Sequence, residues 1–221
     1  MRPLVAKLVS WITTLAIPFF LIMTAVRLLI TPLYPQVEYR MPGFPPDTYG
    51  FTFEERMHWA NISINYLLNN QGIEYLSNQR LADGAPLYNE RELSHMLDVK
   101  VLVQKMIVAW YILLAALIGF GIWAWRGGWL PEFLHGLGNG GKLTIGLIVL
   151  ILAAVAISFN GLFTSFHQLF FTGDSWLFLY TDSLIRLFPL RFWQDGFIGM
   201  GIFTLVGAGL LIWAEQKFAY R

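Results

Sequence analysis

Two imidazoles and the carboxylates spaced around them are the groups in this sequence best suited to proton transfer. His95 lies in Glu92-Leu-Ser-His95-Met-Leu-Asp98-Val, where i,i+3 spacing sets Glu92, His95 and Asp98 along one helix face that continues through Leu102 to Lys105. An imidazole beside a carboxylate can be held in one tautomer and accept a proton near neutral pH, as general acid–base chemistry requires. His167 stands far along the chain in Phe163-Thr-Ser-Phe166-His167-Gln-Leu-Phe170-Phe171. The other two, His58 on a helix and His135 in a Gly-rich stretch, read as structural or solvated.

Competing chemistries are poorly served. Glu92-x-x-His95 has the form used by di-iron bundles, but the residue three before His167 is Thr164, so the second copy is missing and no metal is expected. Ser94 adjoins His95 but points about 100° away around a helix, and neither G-x-S-x-G nor S-x-x-K occurs. The Gly-rich phosphate loops are missing too. With no cysteine, thiol nucleophiles, thiolate metal sites and disulfides are excluded together.

The surroundings of His167 are as informative as the ring itself. Residues 163–195 contain ten Phe, Trp or Tyr side chains, three aspartates and two arginines between two long apolar runs. That mixture suits the boundary of lipid and water. Asp174 and Trp176, beside the turn-forming Gly173, read equally as site or scaffold. Asp182 and Arg186 have i,i+4 order for a helix ion pair that would brace this segment.

The elements that must carry these groups are membrane helices. Of 221 residues, 56% are hydrophobic and 13% charged, with mean hydropathy +0.55, roughly half the charge of an ordinary soluble domain. A net charge of +1 and no basic cluster argue against a nucleic-acid partner. Leu8 to Leu33 is apolar enough to cross the bilayer and too long for a signal peptide, with Arg27 placed to snorkel at its far end. Further spans are predicted at Val101–Trp125, Leu143–Leu162 and Gly196–Ala214, with a short Gly-rich loop over 126–142.

Between the first two spans, Tyr34 to Gln104 holds nine acidic and five basic residues and five prolines. Phe53 to Leu68 reads as a helix capped by Thr52, and a second helix opens at Asn89, with Glu92 completing a capping box. The expected fold is an all-α integral membrane protein of four transmembrane helices with a small, mostly helical extracytoplasmic domain between helices 1 and 2. Its parts are 1–33, the first helix with a cytoplasmic N-terminus; 34–100, the outer domain; and 101–221, spans two to four with the interfacial segment 163–195 on the outer face. Positive charge at both termini and over 126–142 puts those parts in the cytoplasm and both histidines at the outer leaflet.

These residues carry a family resemblance. Glu92-Leu-Ser-His95-Met-Leu-Asp98-Val-Lys100 before a span, then Phe166-His167-Gln-Leu-Phe170-Phe171 with Asp174, Trp176, Asp182, Ile185, Pro189, Phe192 and Asp195, resembles the bacterial four-span lipoprotein intramolecular transacylase (Lit) family. The resemblance covers nearly the whole chain, including Tyr34-Pro35. It implies an acyltransferase of the bacterial cytoplasmic membrane, without a cofactor. The reaction implied moves the sn-2 acyl chain of a diacylglyceryl-modified lipoprotein cysteine onto that cysteine's own α-amino group, giving a lyso-form lipoprotein.

On that reading His167 takes the amine proton, and His95, oriented by Glu92 or Asp98, donates to the leaving glycerol oxygen or polarises the carbonyl; the roles are exchangeable. Lys105, Arg27 or amides near Gly173 would stabilise the oxyanion, with Asp174, Asp182 and Arg186 in the substrate-binding set. Phe170, Phe171 and Trp176 would line the acyl and glyceryl pocket, in contact with membrane lipid. The competing classes are a non-catalytic lipid- or protein-binding accessory protein, a metal-dependent lipid hydrolase, and a transporter. The last is disfavoured by few buried charges in the spans and no visible repeat.

Overall fold

A computed structural model of the chain describes residues 3–219. Among the described residues, the regular structure is all helix apart from one isolated bridge between Arg80 and Pro86. The order is α1 (Pro3–Leu29), α2 (Leu33–Glu38), α3 (Phe53–Leu68), α4 (Glu74–Ser77), α5 (Glu90–Gly127), α6 (Leu130–Phe170), α7 (Ser183–Leu187) and α8 (Leu190–Phe218). Four of these, α1, α5, α6 and α8, are long and apolar enough to cross a membrane. The flanking charges Arg2 and Arg221 lie outside the described residues.

The chain forms two compact units. One comprises the described residues of Met1–Leu28 with Met106–Ile157 and Phe197–Arg221; the other comprises Leu29–Lys105 and Ser158–Gly196. In the first unit, Ile17, Leu21 and Ala208 form one buried cluster, and Ala6, Val9, Ala124, Trp129 and Phe133 another. The loop expected over 126–142 is here a brief turn at Gly128, φ +72°, followed by helix from Leu130. Glycine costs about 1 kcal/mol in a solvated helix, but small residues let membrane helices approach closely. A Cβ on Gly140 would fall 2.5 Å from the Cβ of Ile17, and one on Gly136 would fall 2.7 Å from the Ser10 carbonyl oxygen. His135, placed by the sequence in that loop, instead sits on α6 and bonds the buried Glu215 at 2.9 Å, with Lys142 pairing the same carboxylate at 3.0 Å.

α6 is interrupted at Ser158, whose backbone is extended (φ −160°, ψ 94°). Its hydroxyl oxygen accepts the N–H of Gly161 at 3.1 Å, so Ser158 restarts the helix in the manner of an N-cap. The turns that follow carry His167 in the second unit.

That second unit is organised by two capping boxes and two buried clusters, the smaller of which is Tyr39, Ala60 and Phe192. Thr52 Oγ1 accepts the Glu55 N–H while Glu55 accepts the Thr52 N–H, fixing the start of α3. Asn89 Oδ1 accepts the Glu92 N–H at 3.0 Å and Glu92 Oε2 accepts the Asn89 N–H at 2.8 Å, which starts α5 where the sequence placed it. Tyr66, Leu76, Leu87, Tyr88, Met96, Leu184 and Leu187 form the larger cluster, joining α3, α4, α5 and α7. Tyr39 donates its hydroxyl to the Leu187 carbonyl at 2.7 Å, and Tyr34 donates to that of Phe192 at 2.6 Å, so α2 is fastened to the segment around α7. Glu38 of α2 is buried near Asp195, which accepts Arg191 Nε at 2.7 Å. Burial, with Asp195 second, pushes the Glu38 carboxyl up to about 7.

Candidate active site

His95 and His167 meet within the second unit. Their ring centroids are 5.8 Å apart and their planes 23° from parallel. His95 stands less than two turns into α5, six residues before the predicted start of its apolar run at Val101. His167 stands in the last turn of α6, beyond the apolar run ending at Leu162. Both imidazoles are 8% exposed.

Aromatic rings enclose the pair. Phe171 touches both, at 5.0 Å from His95 and 5.5 Å from His167. Trp176 lies 5.1 Å from His167, and Phe178 5.3 Å from His95. One turn earlier on α6, Phe163 packs 4.2 Å from His167.

The hydrogen bonding of the two rings differs. His167 Nδ1 lies 2.8 Å from the Phe163 carbonyl oxygen. A carbonyl only accepts, so Nδ1 carries the proton and Nε2 presents its lone pair. His95 Nδ1 is buried without a hydrogen-bond partner. Burial drives the His95 imidazole down to about 4, with His167 adding to the shift; burial also lowers His167, against its bond to Phe163. Burial thus favours the neutral form of both rings.

Glu92 does not orient His95. Its carboxylate accepts the backbone N–H groups of Asn89 and, at 2.7 Å, Leu184, so it ties the first turn of α7 to the first turn of α5. Burial raises this carboxyl, and the two N–H donors oppose the rise. Asn89 adds a bond from Nδ2 to Asp182 Oδ1 at 3.0 Å, Ser183 donates its hydroxyl to the Leu87 carbonyl, and Arg91 Nη1 donates to the Leu177 carbonyl at 3.1 Å. Together these bonds hold residues 177–184 beside His95.

The expected Asp182–Arg186 ion pair is replaced by other partners. Asp182 Oδ2 accepts the Leu179 N–H at 2.8 Å, whereas Arg186 pairs with Asp47 at 2.9 Å and lies 3.5 Å over the Phe51 ring. Asp47 is nearly fully buried and offers a better-matched carboxylate than the local one. Asp98, Lys105 and Asp174 are exposed, and Phe170 packs on Phe166. Arg27 is on α1 in the other unit. The buried cation of this unit's α5 is Lys100, which donates to Asn69 Oδ1 at 3.1 Å and to the Gln71 carbonyl at 2.5 Å, over the Tyr66 ring. Sequence reading overlooked Phe163 and Phe178. The i−4 spacing of Phe163 from His167 and the alternation of Trp176 with Phe178 were the available signals.

Paired imidazoles in a buried aromatic setting stand on a chain whose four membrane-length apolar helices mark a multi-pass membrane protein. The comparisons name its family. The profile of the lipoprotein intramolecular transacylase Lit matches residues 11–193, and the chain belongs to that family, which implies acyltransferase activity. The crystallised Lit of Bacillus cereus superposes with a TM-score of 0.83 at 21% identity, covering 99% of this chain and 97% of that one. A variant of that protein with one histidine replaced by alanine gives 0.73, covering 98% and 94%. An uncharacterised protein of Aquifex aeolicus (strain VF5) is 27% identical over 214 residues, covering 93% of this chain and 92% of its own.

Proposed function

We propose that the chain transfers the sn-2 acyl group of a diacylglyceryl-modified lipoprotein cysteine to that cysteine's α-amino nitrogen, at the outer leaflet of a bacterial cytoplasmic membrane. The observation that carries this reading is the 5.8 Å approach of His95 and His167 within one aromatic enclosure. The Lit family profile supports the same class of reaction.

In the reaction the amine nitrogen bonds to the ester carbonyl carbon, the carbon–oxygen bond to glycerol breaks, and one proton passes from nitrogen to the glycerol oxygen. His167 Nε2, its lone pair fixed by the Nδ1 bond to Phe163, takes the proton from nitrogen. His95 is held neutral by burial and donates an N–H hydrogen bond to the carbonyl or departing glycerol oxygen, and the proton held by His167 completes the balance. Since amine and ester belong to one molecule, the site has chiefly to fold the substrate into an attacking geometry. Well-oriented intramolecular reactions reach effective molarities of about 10⁵–10⁸ M. Phe171, Trp176 and Phe178 exclude water, which would otherwise hydrolyse the ester.

Expression in cells that make diacylglyceryl lipoproteins, followed by mass spectrometry of lipoprotein N-termini, tests the proposal. The expected product carries an N-acyl group and one remaining glyceryl ester. Unchanged lipoproteins, or release of free fatty acid, would overturn it.

A further inference from the structure

The connection from α6 to α7 presents two opposed rows of side chains. Trp176 and Phe178 turn inward onto His167 and His95. Leu177 and Leu179 point the other way and are 47% and 61% exposed, followed by Tyr180 at 81%. Beyond the turn at 173–176, Phe178 faces inward between the outward Leu177 and Leu179, so side chains alternate along this short irregular stretch. Leu169, 76% exposed in the last turn of α6, adds to the outward surface.

This strap is anchored rather than loose. Arg91 bonds the Leu177 carbonyl and Asp182 bonds the Leu179 N–H, so the outward leucines are held outward by their own backbone ties. Large apolar side chains held exposed on an anchored segment mark a contact with lipid or with another protein. Lipid is the occupant favoured here. The row lies one short turn, Thr172 to Ser175, beyond the apolar end of α6 at Leu169, Phe170 and Phe171, and α6 is one of the four membrane-length helices. Tyr180 and Trp176 are the residue types that gather where bilayer meets water. The charges that flank the row are Asp174, exposed beside the Gly173 turn, φ +70°, and Asp182, which is tied to the Leu179 N–H.

We infer that residues 176–180 form a strap lying in the membrane surface, with Leu177, Leu179 and Tyr180 in lipid and Trp176 and Phe178 roofing the two imidazoles. The strap separates the histidines from the lipid phase by the thickness of one polypeptide chain. Taken with the proposed reaction, on which this last step rests, it is the partition a diacylglyceryl substrate must pass or displace to reach His95 and His167.

The chain has no cysteine, so one introduced at Leu177, Leu179 or Tyr180 labels a single place. Each variant would carry a nitroxide and be reconstituted in vesicles of phosphatidylethanolamine and phosphatidylglycerol. Its accessibility to dissolved oxygen and to a water-soluble nickel chelate would be compared with a label at Glu54→Cys, on the exposed start of α3. The expected oxygen-to-nickel ratio is several-fold higher at all three strap positions. Equal ratios at the strap and at Glu54→Cys would overturn the inference. Three positions keep the test decisive if one variant misfolds, and because the readout is depth, a failed acyl-transfer assay leaves it unaffected.

Discussion

The imidazole Nδ1 of His167 donates to the carbonyl oxygen of Phe163, one turn earlier on the same helix, across 2.8 Å. This bond leaves Nε2 as the ring nitrogen with a free lone pair, the atom that the proposed reaction uses as base. His95 has no such bond at Nδ1, so the two rings are unequal partners. Replacing His167 by Ala should lower the acyl-transfer rate by about 10²–10⁴-fold, the usual contribution of a positioned general base. His95→Ala should also lower it, with each variant still inserted in the membrane. Full activity in the double variant, read by mass spectrometry of lipoprotein N-termini, would remove both from the mechanism.

Glu92 acts at a distance from the chemistry by holding the Leu184 N–H. Glu92→Ala leaves that buried donor without its acceptor and removes half of a capping box, which together should cost about 1–3 kcal/mol. Glu92→Gln retains an amide oxygen and should recover part of the loss. Thermal unfolding in detergent is the measurement, and an unchanged midpoint for Glu92→Ala would show that the tie carries no stability.

His95 couples folding to acid. Its folded-state pKa of about 4 lies below the ~6.5 of an exposed imidazole, so the unfolded chain binds this proton first as pH falls. The associated stability is complete above about pH 6.5 and is lost as pH drops towards 4. His95→Gln should flatten the unfolding midpoint over that window. An equally steep acid slope in the variant would place the titrating group elsewhere.

Glu38 has the opposite sign. Its carboxyl is raised to about 7, so the folded chain holds the proton more tightly, and stability present below about pH 4.5 is lost as pH rises through 7. Glu38→Gln should therefore unfold at a higher temperature than the parent at pH 8 and show little difference at pH 4.5. A variant destabilised equally at both pH values would contradict the assignment.

Within α6, Gly140 and Gly146 make a paired comparison. A Cβ on Gly140 meets Ile17, whereas one on Gly146 meets nothing within 4 Å. Gly140→Ala should lower the unfolding midpoint, by about 1–3 kcal/mol for overpacking, while Gly146→Ala should leave it unchanged or raise it. Equal effects would mean that the close approach of α1 and α6 carries no energetic weight.

Local signals in the sequence were legible wherever the physics is local. Thr52 with Glu55 and Asn89 with Glu92 mark helix starts within four residues, and the structure begins α3 and α5 there. The two histidines were placed together because each follows or precedes a countable apolar run. What failed depends on partners distant in sequence. Asp182 looked like Arg186's mate at i+4, but Asp47, 139 residues from Arg186, is the carboxylate that reaches it. Glu92 looked like the carboxylate for His95 because no pattern announces that Leu184 will supply a donor. The glycines before Lys142 read as a loop by their propensity in water, which gives way when a neighbouring membrane helix needs the space.

The bonds that bring residues 177–186 beside His95 run back to residues 47, 87, 89, 91 and 92. During synthesis, the ribosome has finished α1 to α6 before the bonding partners on this late stretch exist. An imidazole pair without its roof is then the state of every nascent chain, and a premature stop after α6 would leave it permanently uncovered. Maturation of the enclosure is thus tied to completion of the polypeptide.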